Sequence, residues 1–273
     1  MNIIVCVKQV PGSNDIKVDE KTGVLVRPKE GNKLNPYDLF ALEEAFRLKD
    51  EAEHLSICAV SMGPPQTEEV LDECVWMGCD EGVLVTDRAF GGADVLATSY
   101  TLSQAIKKVG IPSAIFCGKQ TTDGDTAQVG AELAEHLGIP HLSNVIRVIS
   151  FTDDHVIVEA IQDNLVLKEK IALPCLLCFD SDINTPRLPS YKRKKTMECH
   201  IRRFSINDFE DQDQNHYGLK GSPTRVRRIF PPDKNKQRSK FEGESSELAI
   251  RLKNLLFGKK FIKNEDDYGA YNT

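Results

Sequence analysis

The chain has 273 residues, of which 40% are hydrophobic and 28% charged, so it is too long for a peptide scaffold and too apolar for a disordered chain. At roughly 150 residues per domain that length allows one large α/β domain with an arm, or two small domains. The net charge of −6 conceals an asymmetry, because residues 187–240 carry 15 Lys and Arg against 6 Asp and Glu; a basic arm on an acidic body points to an acidic partner rather than to nucleic acid, there being neither an aromatic RNA-binding pattern nor zinc-finger spacing.

Met1-Asn2-Ile3-Ile4-Val5 runs directly into a strand pattern, and no stretch approaches the roughly 18 apolar residues of a membrane helix, so the expectation is a cytoplasmic protein without membrane insertion. Strand Ile3–Val7 leads to a small hairpin over Lys17–Val26. In Asn35-Pro36-Tyr37-Asp38, Asn35 is the expected cap, Pro36 suits a first helical position, and Leu39, Leu42 and Phe46 follow at the spacing of a buried stripe. Strand His54–Ser61 precedes a helix over Glu68–Trp76, Val83–Val85 a helix over Asp94–Val109, and Ala114–Cys117 a helix from about Asp125 to Leu137. This βα alternation predicts an open, mostly parallel α/β sheet with helices on both faces. From Ile139 the pattern turns to successive strands, Val145–Phe151, His155–Ile161 and Leu165–Ile171, which predicts an antiparallel extension. Beyond Asp180 regularity fades into a proline-bounded basic stretch, and Ser245–Leu256 is one late amphipathic helix. The expected division is a nucleotide-binding α/β domain over 1–186 and, over 187–273, a basic docking loop and an extended C-terminal arm ordered against another subunit.

Ligands of open α/β sheets bind outside the carboxyl ends of the strands, where loops meet helix N-termini. The most informative loop there runs from Gly118-Lys119-Gln120 through Thr121, Thr122, Asp123, Gly124, Asp125, Thr126, Ala127, Gln128, Val129 and Gly130. Its small residues let backbone N–H groups approach an anion, its Thr and Gln side chains add donors, and the following helix dipole favours phosphate. Asp123 and Asp125 would repel phosphate and are assigned to capping the helix or to holding the loop and a ribose. A second turn, Phe90-Gly91-Gly92-Ala93-Asp94 with Ala97-Thr98-Ser99, offers a place for a second anionic group; a tight connection with a capping Asp is the alternative. Two such turns suit a nucleotide with two phosphates.

The familiar dinucleotide, phosphate-loop, serine-hydrolase and zinc-protease motifs are absent, and the six histidines show no metal spacing. Eight cysteines diluted through a long chain read as reduced core thiols; Cys175 and Cys178, three apart on a strand, face opposite ways and make poor joint ligands, and Cys74, Cys79, Trp76 and Phe46 read as core. The run Lys192-Arg193-Lys194-Lys195 is either a solvated loop or a docking surface. With no nucleophile, acid–base pair or metal, the chemistry falls to a bound cofactor.

In order and spacing, Val5-Cys6-Val7-Lys8-Gln9-Val10, Asn35-Pro36-Tyr37-Asp38, Val60-Ser61-Met62-Gly63-Pro64, the Gly118–Gly130 loop and Asn184-Thr185-Pro186-Arg187 resemble the β subunit of electron-transfer flavoproteins along nearly the whole chain. The resemblance implies an adenine-nucleotide α-hydrolase-like, Rossmann-like fold paired with a flavin-carrying α subunit. It implies one of two branches: AMP as a structural ligand, or FAD that accepts hydride from NADH and bifurcates electrons. Carried over by position, the nucleotide contacts are Cys6, Asn35, Asp38, Met62 and Thr121 to Gly130. The turn with Gly92, Asp94 and Thr98 resembles the bifurcating branch and would face the added phosphate and ribityl, although Val95 stands where that branch implies a hydroxyl residue. That branch implies one electron to ferredoxin or flavodoxin and the other, through the α-subunit FAD, to an acyl-CoA dehydrogenase-type partner. Docking is implied for Arg187, Leu188, Tyr191, Lys192 and Arg193, with Leu188 or Tyr191 as the apolar contact. The alternatives are the AMP-holding carrier, a nucleotide-hydrolysing or adenylating enzyme, for which Val10-Pro11-Gly12-Ser13 does not supply the phosphate loop, and a stand-alone sensor domain, which the basic arm argues against.

Overall fold

The computed structural model describes residues 1–12, 17–18, 25–26, 31–52, 54–227 and 240–262. Strand β1 (Asn2–Cys6) is buried at every position from Ile3 onward, as a strand must be when helices cover both faces of its sheet. Strands β2 (Gln9–Pro11), β3 (Lys17–Val18), β4 (Leu25–Val26) and β5 (Asn32–Leu34) follow, with β3 antiparallel to β4 and β2 to β5. The expected hairpin therefore has its two ends, while its Lys21-Thr22-Gly23 turn lies outside the described residues. Helix α1 (Pro36–Glu51) starts at its proline and buries Ala41, Leu42, Ala45 and Phe46. Then come β6 (Ser56–Met62), α2 (Glu68–Met77), β7 (Glu81–Val85), α3 (Val95–Val109), β8 (Ala114–Gly118) and α4 (Val129–Leu137). The antiparallel meander β9 (His141–Phe151), β10 (His155–Gln162) and β11 (Leu165–Ala172) precedes β12 (Cys175–Phe179), α5 (Tyr191–Thr196), β13 (Ile201–Phe204) and α6 (Gly218–Gly221).

Nine strands form one sheet in the order β11-β10-β9-β12-β8-β1-β6-β7-β13, parallel throughout from β9 to β13. After β1 the chain builds outward through β6 and β7 and then returns to β8 on the other side, so the order reverses between β1 and β8. In open sheets of this kind the ligand crevice lies outside the carboxyl ends of two such neighbours, where the order reverses.

Alternation along the strands divides the core. Ile3, Val5, Ile57, Ala59, Phe116 and Leu177 pack under α1 and α2, and Ile4, Cys6, Val60, Ile115, Cys117 and Cys178 pack under α3 and α4. Cys175 lies in the first layer and Cys178 in the second, on opposite faces as their spacing requires, and Cys74 and Cys79 are fully buried. Trp76, read from the sequence as core, is only partly buried, and its ring lies under the Lys194 ammonium at 4.4 Å.

The segment after residue 186 is more ordered than its sequence suggests. Compact units span Met1–Ile229 and Phe230–Thr273, so the first extends well past the expected boundary. Ile201–Phe204 pairs with β7 as an edge strand, since Arg202 and Arg203 find Glu81 and Glu68, and Tyr217 is fully buried against Phe90 and Phe209. In the second unit α7 (Ser245–Gly258) leaves Ile250, Leu252 and Leu255 exposed, with the Arg251 guanidinium 3.9 Å from the Phe241 ring centroid. No helix among the described residues is long and apolar enough to cross a membrane.

Candidate nucleotide-binding site

At the crevice between β1 and β8, Asn35 joins the two loops. Its amide Nδ2 donates to Asp38 Oδ1 and to the Gln120 carbonyl, each at 2.9 Å, and its Oδ1 accepts from the Thr122 N–H at 3.3 Å. The expected capping role is corrected by these bonds, since the Asn35 side chain accepts from no N–H of α1. A fully buried amide with two donors and one acceptor satisfied this way fixes the Gln120–Thr122 backbone on the start of α1.

Asp38 forms the floor beneath it. The Lys8 N–H donates to Asp38 Oδ2 at 2.7 Å, and the residue is 5% exposed. Burial pushes its pKa up to about 7, against the opposing pull of Asn35 and Lys8. Gly118 makes this approach possible: a Cβ on it would lie 2.5 Å from Asp38 Oδ1 and 2.6 Å from the Tyr37 carbonyl carbon.

The loop that follows is not helical where a helix was expected. Asp125 and Ala127 take left-handed φ values of 53° and 55°, so α4 begins at Val129 and Asp125 does not cap it. Two left-handed residues flanking Thr126 bend the chain into a concave turn lined by backbone N–H groups. Among the described residues, the N–H groups of Thr126, Ala127, Gln128 and Val129 have no acceptor, and they lie at the positive end of the α4 dipole. Asp123 is directed away from them: its carboxylate pairs with Lys8 Nζ at 2.7 Å, which outweighs its burial and holds it below the ordinary carboxylate range. Gly130 sits on the sheet, where a Cβ would meet Cys178 Sγ at 2.3 Å. Beneath it Cys6, Cys117 and Cys178 stand in register on three adjacent strands. Cys6 ends β1 and is buried; Met62 ends β6 on the neighbouring side and is partly buried.

The second turn lies beside the first. Ser99 Oγ, in α3, donates to Glu132 Oε2 in α4 at 3.1 Å, so the two helices open side by side at the same end of the sheet. Gly92 is left-handed at φ 73°, and Asp94 caps α3 by accepting from the Ala97 N–H at 3.1 Å. Thr98 lies on the first turn of α3, its N–H donating to the Asp94 carbonyl at 3.0 Å. Sequence reasoning missed the residues that hold this turn, Ser222 and Thr224, because nothing in a Ser-Pro-Thr stretch names a partner far upstream.

The basic segment divides into fixed and free residues. Arg187 clasps Glu43 through Nε at 2.8 Å and Nη2 at 3.1 Å, and reaches Asp50 at 2.8 Å. Arg193 donates to the carbonyls of Val75 and Cys79 at 3.0 and 3.2 Å. These two, expected among the docking residues, are thus engaged in holding the segment to α1 and to the end of α2. Leu188 and Tyr191 remain 87% and 73% exposed, with Lys192 exposed beside them.

The family model of the electron transfer flavoprotein domain matches residues 22–203. The chain belongs to the electron transfer flavoprotein family. It is 44% identical over 264 residues to the electron transfer flavoprotein subunit beta of Clostridium acetobutylicum, covering 96% of this chain and all of that one. It is also similar to CarD, a subunit of the caffeyl-CoA reductase-Etf complex of Acetobacterium woodii, at 42% over 234 residues, 85% of this chain and 88% of that one. A third relative, the acryloyl-CoA reductase electron transfer subunit gamma of Anaerotignum propionicum, is 36% identical over 271 residues, 96% of this chain and all of that one. Membership of this family implies a flavin or nucleotide in general.

Proposed function

We propose that this electron transfer flavoprotein subunit binds FAD, accepts hydride from NADH and bifurcates the electrons. One goes to ferredoxin or flavodoxin and the other, through an α-subunit FAD, to an acyl-CoA dehydrogenase-type enzyme. What carries the reading is the pair of adjacent helix openings at α3 and α4, which offers free N–H groups for two phosphates where a single phosphate would use one. The names of the relatives support the partner class, since two of them serve reductases of acyl-CoA compounds.

On this reading Thr121 to Gly130 take one phosphate and the adenosine, with Cys6, Asn35, Asp38 and Met62 around them, and the α3 opening from Gly92 to Thr98 takes the second phosphate and ribityl. Close approach is secured by Gly118 and Gly130, whose missing Cβ atoms leave the floor open to the ligand loop. Bound FAD supplies the two-electron to one-electron conversion; the chain positions it and excludes water. Leu188 and Tyr191 dock on the dehydrogenase, from a base that Arg187 and Arg193 hold rigid, and the arm beyond residue 204 binds the α subunit in the cytoplasm.

A second reading, AMP in the same loop, is favoured by one observation: both Asp94 carboxylate oxygens already have internal donors, as they would if the α3 opening served only to close the fold. Anaerobic titration of the heterodimer with NADH, followed by flavin absorbance, separates the two. Bleaching that becomes catalytic on adding ferredoxin together with the acyl-CoA dehydrogenase partner is expected; a flavin untouched by NADH would overturn the bifurcating reading.

A further inference from the structure

Asp94 opens α3 at the rim of the proposed second-phosphate position, and a carboxylate there is an electrostatic liability. Burial opposes its ionisation, but the donors from Thr224 and Ala97 outweigh that and hold it below its ordinary value, so it is charged at neutral pH. The structure shows where that charge is directed. Oδ1 accepts from the Ala97 N–H at 3.1 Å, and Oδ2 accepts from both the N–H and the hydroxyl of Thr224, at 2.9 and 2.7 Å. The Asp94 N–H in turn donates to Ser222 Oγ at 2.8 Å, and that hydroxyl donates to the Gly218 carbonyl at 2.6 Å.

The strap that brings Ser222 and Thr224 there is fixed along its length. Tyr217, fully buried, roots it among Phe90 and Phe209. Gly218, left-handed at φ 52°, passes so close to the preceding turn that a Cβ would lie 2.1 Å from the Ala89 carbonyl oxygen. The Leu219 N–H donates to the Gly91 carbonyl at 3.0 Å. Directly after Thr224 come the exposed cations Arg225 and Arg227. The strap therefore holds the single acidic group of the turn by hydrogen bonds, and two cations follow it directly in the chain.

We infer that Thr224, seconded by Ser222, is a positioning residue that sets nucleotide preference: by holding the Asp94 carboxylate on the strap it keeps that charge off the second phosphate and lets the α3 opening accept a dinucleotide. The inference rests on the FAD reading given above. Without the Thr224 hydroxyl, Oδ2 keeps only the Thr224 N–H, so the carboxylate is held less firmly on the strap and its charge is less compensated, and its repulsion of the phosphate rises. A mononucleotide held by Thr121 to Gly130 is unaffected, because its one phosphate lies at α4.

The test uses the heterodimer made with its α subunit, as wild type, Thr224→Val, Thr224→Ser and the double variant Thr224→Val with Asp94→Asn, each heated to release nucleotides for quantitation. Two FAD per wild-type heterodimer are expected, with retention of the β-site FAD about tenfold weaker in Thr224→Val, the worth of one hydrogen bond to a charged group. Thr224→Ser keeps the hydroxyl and should hold FAD as wild type does. The double variant should regain FAD, because an amide carries no charge to repel phosphate; a merely structural role for Thr224 predicts no such rescue. Two FAD in wild type and Thr224→Val alike, or loss in Thr224→Val that Asp94→Asn does not restore, would overturn the inference and leave the FAD reading intact. One FAD and one AMP in the wild type would instead overturn the FAD reading, and the inference with it.

Discussion

Replacing Asp38 by Asn removes the one carboxyl at the floor of the crevice whose burial pushes its pKa from 3.8 to about 7. A difference of about three units at about 1.4 kcal/mol each amounts to roughly 4 kcal/mol of linkage between protonation and folding. The folded state holds this proton at pH values where the unfolded chain has released it. The stability it contributes is therefore complete below about pH 4, falls as pH rises, and is gone above about pH 7. An asparagine has no such titration. Its misfit against the Asn35 amide, which faces it with a donor at 2.9 Å, costs the same at every pH and only displaces the curve. The neighbouring Asp123 carboxyl lies below its ordinary value and titrates under this window. Urea unfolding of wild type and variant at half-unit steps from pH 4 to 8, read by the single tryptophan, Trp76, gives the difference directly. Wild-type stability minus variant stability should fall by about 1.4 kcal/mol per pH unit across most of that range. A difference that stays flat would show that Asp38 is solvated, and would refute the closed crevice floor.

Gly130→Ala places a methyl 2.3 Å from Cys178 Sγ and should cost about 1–3 kcal/mol in thermal unfolding; adding Cys178→Ala removes the obstructing sulfur and should recover most of it. Arg187→Met leaves Glu43 nearly buried without its cation and should cost roughly 2 kcal/mol, measured by urea unfolding. Leu188→Ala, at a side chain 87% exposed, should leave stability unchanged and raise the KM for the dehydrogenase partner several-fold; an unchanged KM would remove Leu188 from the docking surface. Thr126→Val, in an exposed loop, should weaken nucleotide retention severalfold while the melting of the nucleotide-free protein stays within 1 °C, to the order of magnitude expected of a surface change.

What could be read from residues alone was whatever is local. Pro36 with a periodic stripe places α1, and a run of small residues after an apolar strand marks the irregular loop proposed to hold an anion, because both signals lie within a dozen neighbouring positions. Asn35 shows the limit. Capping a helix and bridging two loops require the same side chain, and only the approach of Gln120 and Thr122, brought near by strand order, decides between them. The start of α4 was set too early because left-handed Asp125 and Ala127 carry no marker comparable to glycine. Strand β13 was invisible because its two arginines read as arm, whereas Glu81 and Glu68 make them part of a sheet edge. Arg187 and Arg193 looked like free charge for the same reason: the groups that satisfy them lie on α1 and around the end of α2.

The central claim is that adjoining helix openings hold a diphosphate. Heat denaturation of the purified heterodimer, with the released nucleotides separated and counted, tests it most directly. The account predicts two equivalents of FAD and no AMP; one equivalent of each would contradict it.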